Sequence, residues 1–321
     1  MKLFGSHRVG LGAAPIGNLF REVSDADAAA TVSAAWDAGW RYFDTAPHYG
    51  LGLSERRLGS VLRGMPRDSY VLSTKAGRLL VDSGVAAPDD EGFAVTSPLR
   101  RQWDFSADGI RRSLESSLSR LGVDRVDVVY LHDTDDHYEE ALRTGFPALA
   151  ALRDEGVIGA MGAGMNQSAM LADFVRETDL DVVMLAGRYT VLDHAAALDD
   201  LLPACVEHDV QVVAVGIFNS GLLSNPRPLP GATFDYAPAD AARLATANRL
   251  ADICDTHAVP LPAVALQFPL AHPAVTGIAV GCHTPTQVQS NAALEHAPIS
   301  PALWDDLRTA RLLHPDAPVP E

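Results

Sequence analysis

Asp44, Tyr49, Lys75 and His132 are residue types that together can move a proton to or from a substrate oxygen. A free tyrosine hydroxyl has a pKa near ~10, too high for a good base at neutral pH. A lysine ammonium beside it favours the phenolate and is expected to lower that value. A carboxylate next to the lysine holds it and keeps it charged. A histidine near the phenol can orient the substrate oxygen and support proton transfer. Such a group serves hydride transfer to or from a carbonyl, where a proton must move with the hydride. Singly, each residue has a plainer explanation: a helix cap, a surface lysine, a satisfied histidine, a half-buried aromatic. What sets them apart is common placement. Asp44, Lys75, His132 and Asn166 close apolar strand-like runs, and Tyr49 lies in the loop after Asp44.

The elements that must position them alternate along the chain. Strand-like runs occur at 11–17, 40–44, 70–75, 126–132, 158–163, 181–186, 210–216 and 276–281. They are continuously apolar, as strands buried on both faces are. Helical segments lie between them. Ser24 and Asp25 precede one that stops at Gly39, and Ser106 precedes another that stops at Gly122; these are helix start and stop residues. Repeated βα units of roughly 30 to 40 residues indicate a parallel sheet. Eight such units favour a closed α/β (β/α)8 TIM barrel over an open doubly wound sheet, and in such a barrel catalytic side chains sit at the C-terminal strand ends. The whole chain, 1–321, is expected to form a single domain. The stretch 76–105 lacks periodicity and follows the strand carrying Lys75, so it is expected to be a lid loop over the site.

Bulk composition excludes several classes. The net charge of −16 argues against nucleic acid or an anionic membrane as partner. Cys205, Cys254 and Cys282 are far apart, poor material for disulfides or zinc and compatible with a reducing cytoplasm. Neither a secretory signal nor a membrane-spanning run of ~20 apolar residues is evident, so a cytoplasmic protein is expected. The acidic stretch HDTDDHYEE (132–140) reads as a solvated start of a helix rather than a metal site, and no metal is expected. GLGAAP and GAGMNQ do not complete a dinucleotide-binding GxGxxG.

WRYFDTAPHYGLGLSERRLG resembles the signature of the aldo-keto reductases, and LSTKAG, VVYLHD and VGCHTPTQVQSN resemble further motifs of that family in the same order. The resemblance runs from about Leu11 to Asn291. It implies a catalytic tetrad of Asp44, Tyr49, Lys75 and His132 and an extended nicotinamide cofactor bound without a Rossmann domain. By family position Asn166 would hold the carboxamide. Gly216, Ile217, Phe218, Asn219, Ser220, Gly221 and Leu222 would wrap the pyrophosphate. Gly12 is also placed among the cofactor contacts, and Gly281, Cys282, His283, Thr284, Gln287 and Asn291 would meet the adenosine half. Three departures from the common pattern stand out: Val215 stands where an aromatic often stacks on nicotinamide, and Ala186 where glutamine is usual. Gly281, His283 and Gln287 stand where Lys or Arg often meets the 2′-phosphate of NADP. That phosphate carries about two negative charges, so NAD is expected over NADP.

The wording APIGNLFREVSDADAAATVSAAWDAG, with DFSADGIRRSLESSLSRLG, resembles the sugar 1-dehydrogenase branch of the family. This implies oxidation of the anomeric hydroxyl of a small neutral aldose such as L-fucose, L-galactose or D-arabinose to its lactone. Oxidation of another cyclic hemiacetal, as in pyridoxal 4-dehydrogenase, is a sister activity. A general NADPH-dependent aldehyde reductase and a cofactor-sensing subunit of the same fold are the alternatives. His48, Trp103, Asp133 and Arg188 flank the expected site in loops and are candidate substrate contacts.

Overall fold

Eight parallel strands close on themselves in a computed structural model that describes residues 3–5 and 7–320. Met1, Lys2, Ser6 and Glu321, within the N-terminal stretch and domain bounds considered above, lie outside the described residues. In chain order the strands are β1 (Val9–Gly12), β2 (Tyr42–Asp44), β3 (Val71–Ala76), β4 (Arg78–Pro88) and β5 (Thr96–Trp103). They continue with β6 (Val126–His132), β7 (Ile158–Met165), β8 (Val182–Ala186) and β9 (Gln211–Val215). Then come β10 (Thr233–Phe234), β11 (Ala237–Pro238) and β12 (Val275–Gly281). The barrel runs β1-β12-β9-β8-β7-β6-β3-β2, and β4-β5 and β10-β11 form separate antiparallel pairs.

All eight expected barrel strands are present. The first is displaced: the run 11–17 belongs only in part to β1, and Pro15–Gly17 forms a 3-10 turn. Proline has no N–H to give to a ladder, so the chain turns there. Helix boundaries follow their caps. Ser24 accepts from the Asp27 N–H at the start of Asp25–Asp37, and Ser106 accepts from the Gly109 N–H at the start of Ala107–Leu121. Gly122 ends the second helix at φ +68°, a conformation cheap only without a Cβ.

The core inside the barrel is small and aromatic at its floor. Phe4 stacks on Tyr42 with centroids 4.7 Å apart, and Val128, Tyr130, Val182, Met184 and Val213 fill the layers above. A Cβ at Gly10 would lie 2.5 Å from the Tyr42 carbonyl, so only glycine admits this packing. A larger apolar cluster fills the space between strands and helices. Burying such area is the main stabilising term, at about 25 cal/mol per Å².

The lid is not the expected irregular loop. Residues 78–103 form a two-stranded ribbon, with Arg78 opposite Trp103 and Pro88 opposite Thr96. Its backbone groups pair across the ribbon, which is how a long excursion avoids unmet polar groups. Hydrogen bonds from the Ala94 N–H to the Asn18 carbonyl and from the Phe20 N–H to the Gly92 carbonyl tie it to the loop after β1. Among the described residues no helix is long and apolar enough to cross a membrane. The three cysteines are free and buried.

Candidate active site

Adjacent strands bring the central pair together. Asp44 ends β2 and Lys75 lies one residue before the end of neighbouring β3. Lys75 Nζ donates to Asp44 Oδ2 at 2.6 Å and to the Thr45 carbonyl at 3.0 Å. Ser73 donates to Asp44 Oδ1 at 2.7 Å, so both carboxylate oxygens are engaged. The lysine and the aspartate are 2% and 3% exposed. A buried charge persists only when paired and hydrogen-bonded, and each partner here meets that condition.

Tyr49 closes over this pair. Lys75 Nζ lies 4.7 Å from the centroid of its ring. The His132 ring, at the end of β6, stands edge-on to Tyr49 at 5.8 Å, and His48 is 5.9 Å from Tyr49 and 5.5 Å from His132. The structure therefore gathers Asp44, Tyr49, Lys75 and His132 at one strand-end cluster. His132 Nδ1 is buried without a hydrogen-bond partner among the described residues, and Nε2 lies 3.5 Å from Asp133 Oδ2.

The electrostatics depart from the sequence expectation at Tyr49. Its phenol is pushed well above the usual value, first by burial, then by the negative charge of Asp44 and by Tyr236 and Asp133. Arg78 is the cation that opposes this. Lys75 was expected to lower the phenol, but Asp44 neutralises it at 2.6 Å and it faces the ring. Burial also raises the Asp44 carboxyl, opposed by Lys75 and Ser73. The two imidazoles move the other way. Burial and then Arg78 push His132 well below its ordinary value, and burial, Arg78 and Arg101 push His48 down to about 2. Both rings are neutral at physiological pH.

Arg78 was not among the residues singled out from the sequence, though it stands directly beyond the Lys75 strand in KAGR. It is 8% exposed, and donates to Asp133 Oδ2 at 2.5 Å and meets His48 Nδ1 at 3.1 Å. Its guanidinium lies 4.3 Å from the Trp103 ring centroid, where a cation is attracted to the ring face. Phe93 was also missed. It packs on His48 at 5.1 Å and on Tyr49 at 6.0 Å, from inside the aperiodic stretch. Of the expected substrate contacts, His48, Trp103 and Asp133 stand together around Arg78. Arg188 does not join them. It makes a two-pronged pair with Asp235, at 3.0 and 2.6 Å.

The remaining candidates line the same strand-end edge. Asn166 directly follows β7 and is half-buried. Gly216 follows β9 at φ +63°, and Asn219, Ser220 and Gly221 also have positive φ. In that turn the N–H groups of Asn219, Gly221 and Leu222 bond to the Gly216, Phe218 and Asn219 carbonyls. Those of Gly216, Ile217, Phe218 and Ser220 make no such bond among the described residues. Asn219 Nδ2 donates to the Gly187 carbonyl at 3.1 Å, while its Oδ1 is buried without a partner among the described residues. Gly12 pairs with Gly281 across β1 and β12. Beyond it the His283 N–H donates to Gln287 Oε1 at 2.7 Å, Thr284 caps the helix Pro285–Glu295, and Asn291 Nδ2 meets Cys282 Sγ at 3.4 Å.

The residues present fit an extended nicotinamide dinucleotide: buried polar atoms at Asn219 and His132 stand free along the edge, between a proton-handling cluster and a glycine-rich turn. A match to the aldo/keto reductase family spans residues 8–311. The chain belongs to the aldo/keto reductase family. It is 48% identical over 310 residues to a D-threo-aldose 1-dehydrogenase of Pseudomonas, covering 95% of this chain and 94% of that one. It is 40% identical to a pyridoxal 4-dehydrogenase of Microbacterium luteolum, over 95% and 94% of the two chains. Among solved structures it superposes on the holo form of an aldo-keto reductase from Bacillus halodurans at TM-score 0.75 and 26% identity, covering 98% and 94%. As a member of this family the protein is an oxidoreductase acting on CH–OH groups with a nicotinamide cofactor.

Proposed function

We propose that this aldo/keto reductase oxidises the anomeric hydroxyl of an aldose such as L-fucose, L-galactose or D-arabinose to the lactone, with NAD as preferred acceptor. The observation that carries the substrate class is the similarity to D-threo-aldose 1-dehydrogenase across nearly the whole chain. Asp44, Tyr49, Lys75 and His132 are the catalytic residues of this reading. A bound nicotinamide would supply the hydride acceptor for the anomeric carbon. Tyr49 takes the hydroxyl proton as general base, and Lys75, paired with Asp44, packs against its ring. The neutral imidazole of His132 orients the substrate oxygen. The mouth suits a polyol: Asp133, Arg78 and His48 offer hydrogen-bonding groups, and Trp103 offers a flat apolar face. Asn166 would hold the carboxamide, 216–222 the pyrophosphate, and Gly12, Gly281–Thr284, Gln287 and Asn291 the adenosine side.

One observation favours the reverse direction as a second reading. A Tyr49 phenol held well above its usual value is an acid rather than a base at neutral pH, and so suits carbonyl reduction. A screen of nicotinamide absorbance with NAD and NADP against L-fucose, L-galactose, D-arabinose and pyridoxal distinguishes the readings. Cofactor reduction with an aldose is expected. Silence with every aldose, together with rapid reduction of simple aldehydes, would reject the sugar reading.

A further inference from the structure

On the opposite, N-terminal face of the barrel, three side chains converge that take no part in the chemistry. His7 precedes β1, Glu295 is the last residue of the helix Pro285–Glu295, and His296 is its C-cap. One ligand atom from each lies within 4.8 Å of those of the other two, and His7 Nδ1 stands 3.9 Å from Glu295 Oε2. The Glu295 side chain is 8% exposed, and among the described residues the one basic nitrogen within 4 Å of its carboxylate is His7 Nδ1. Among the described residues His7 Nδ1 is buried with no hydrogen-bond partner. A buried carboxylate and a buried ring nitrogen left in this state are both costly, and a shared cation removes both costs.

The surroundings favour positive charge. A Cβ on Gly39 would lie 2.8 Å from His7 Nε2, so the imidazole rests against the glycine just beyond the helix Asp25–Asp37. Two helices thus end beside the cluster, and a helix C-terminus carries about half a negative charge. We propose that His7, Glu295 and His296 bind a zinc(II) ion that clips the segment ahead of β1 to the end of the Pro285–Glu295 helix. Tetrahedral zinc with nitrogen and oxygen ligands at about 2.0–2.1 Å sets its ligand atoms roughly 3.3 Å apart. Closing from 3.9 Å for His7 and Glu295, and from at most 4.8 Å for any pair, takes up to about 1.5 Å, a shift for rotation of the part-exposed His7 and exposed His296 side chains. Water completes the fourth position. The histidines lie at opposite ends of the chain, so no local spacing motif announces the site.

The test uses full-length protein stripped with a chelator, then titrated with zinc chloride. One equivalent should bind saturably, raise the thermal midpoint and leave turnover unchanged. Losing outer-shell support alone costs metal sites about 10–100-fold in affinity, so removing a direct ligand by His296→Ala or Glu295→Gln should cost at least that. His296 is exposed, so its variant should fold. Cobalt(II) in place of zinc should give tetrahedral visible bands in the parent and not in His296→Ala. Absence of saturable binding, or equal affinity in parent and His296→Ala, would overturn the proposal.

Discussion

Lys75 Nζ is held 2.6 Å from Asp44 Oδ2 while lying 4.7 Å from the Tyr49 ring centroid, so one ammonium meets a buried carboxylate and an aromatic face together. Removing one partner of such a pair leaves an uncompensated buried charge, at about 3–5 kcal/mol. Asp44→Asn and Lys75→Met should each lower stability on that scale, read as a denaturation midpoint. The double variant should recover much of the stability and none of the activity. Near-parental activity in the double variant would remove Lys75 from the reaction.

Tyr49→Phe should cut turnover by about 10²- to 10⁴-fold, the usual worth of a general acid or base. Cofactor binding, followed by fluorescence quenching, should persist. The pH dependence follows from the raised phenol. A base whose pKa lies above the neutral range is mostly protonated at pH 7, so the oxidative rate should climb as pH rises into the alkaline range. The reductive rate should fall over the same interval, because the acid form is being lost. An oxidative rate flat from neutral to alkaline pH would point to another base.

Arg78 should act on substrate binding more than on the chemical step, because it grips Asp133 and His48 rather than the Tyr49 hydroxyl. A hydrogen bond between charged groups is worth about 1.5–3 kcal/mol, so Arg78→Met should raise KM by roughly tenfold or more with a smaller change in kcat. The same variant should shift the His48 titration upward from about 2, since Arg78 is the largest cause of that depression after burial. The imidazole resonances in an NMR titration read this directly. An unchanged KM would leave Arg78 as a support of the ribbon alone.

Much of this was legible in the sequence because barrel strands are buried on both faces and write continuous apolar runs. Tyr42, Tyr130 and their neighbours are core residues for that reason, and the polar residues ending those runs stood out against them. The ribbon 78–103 was not legible. Its alternation mixes exposed and half-buried positions, and Phe93 finds its partners, His48 and Tyr49, far away in sequence. Sequence shows that an arginine, Arg188, flanks the site but not that Asp235 pairs with it. The phenol was misjudged for a similar reason: a lysine's presence is visible in sequence, its neutralisation by a paired carboxylate and the degree of burial are not.

In the proposed reading, cofactor selection rests on the charge around Gly281, His283 and Gln287. Gly281 and Gln287 are uncharged, and burial, joined by the charge of Arg21, lowers His283 from its ordinary value, so it is neutral at physiological pH. His283 Nε2 is also committed to the Leu19 carbonyl at 3.1 Å. A 2′-phosphate with about two negative charges would find no fixed cation at these three positions. The exposed Arg21, two residues beyond Leu19, is the cation whose field reaches this edge. The expected outcome is a higher kcat/KM with NAD than with NADP, and Gln287→Arg should narrow the gap chiefly through KM for NADP. Arg21→Ala should weaken NADP and leave NAD nearly unchanged, since only the phosphate feels that charge. A parental preference for NADP that collapses in Arg21→Ala would reverse the assignment and make Arg21 the selecting residue.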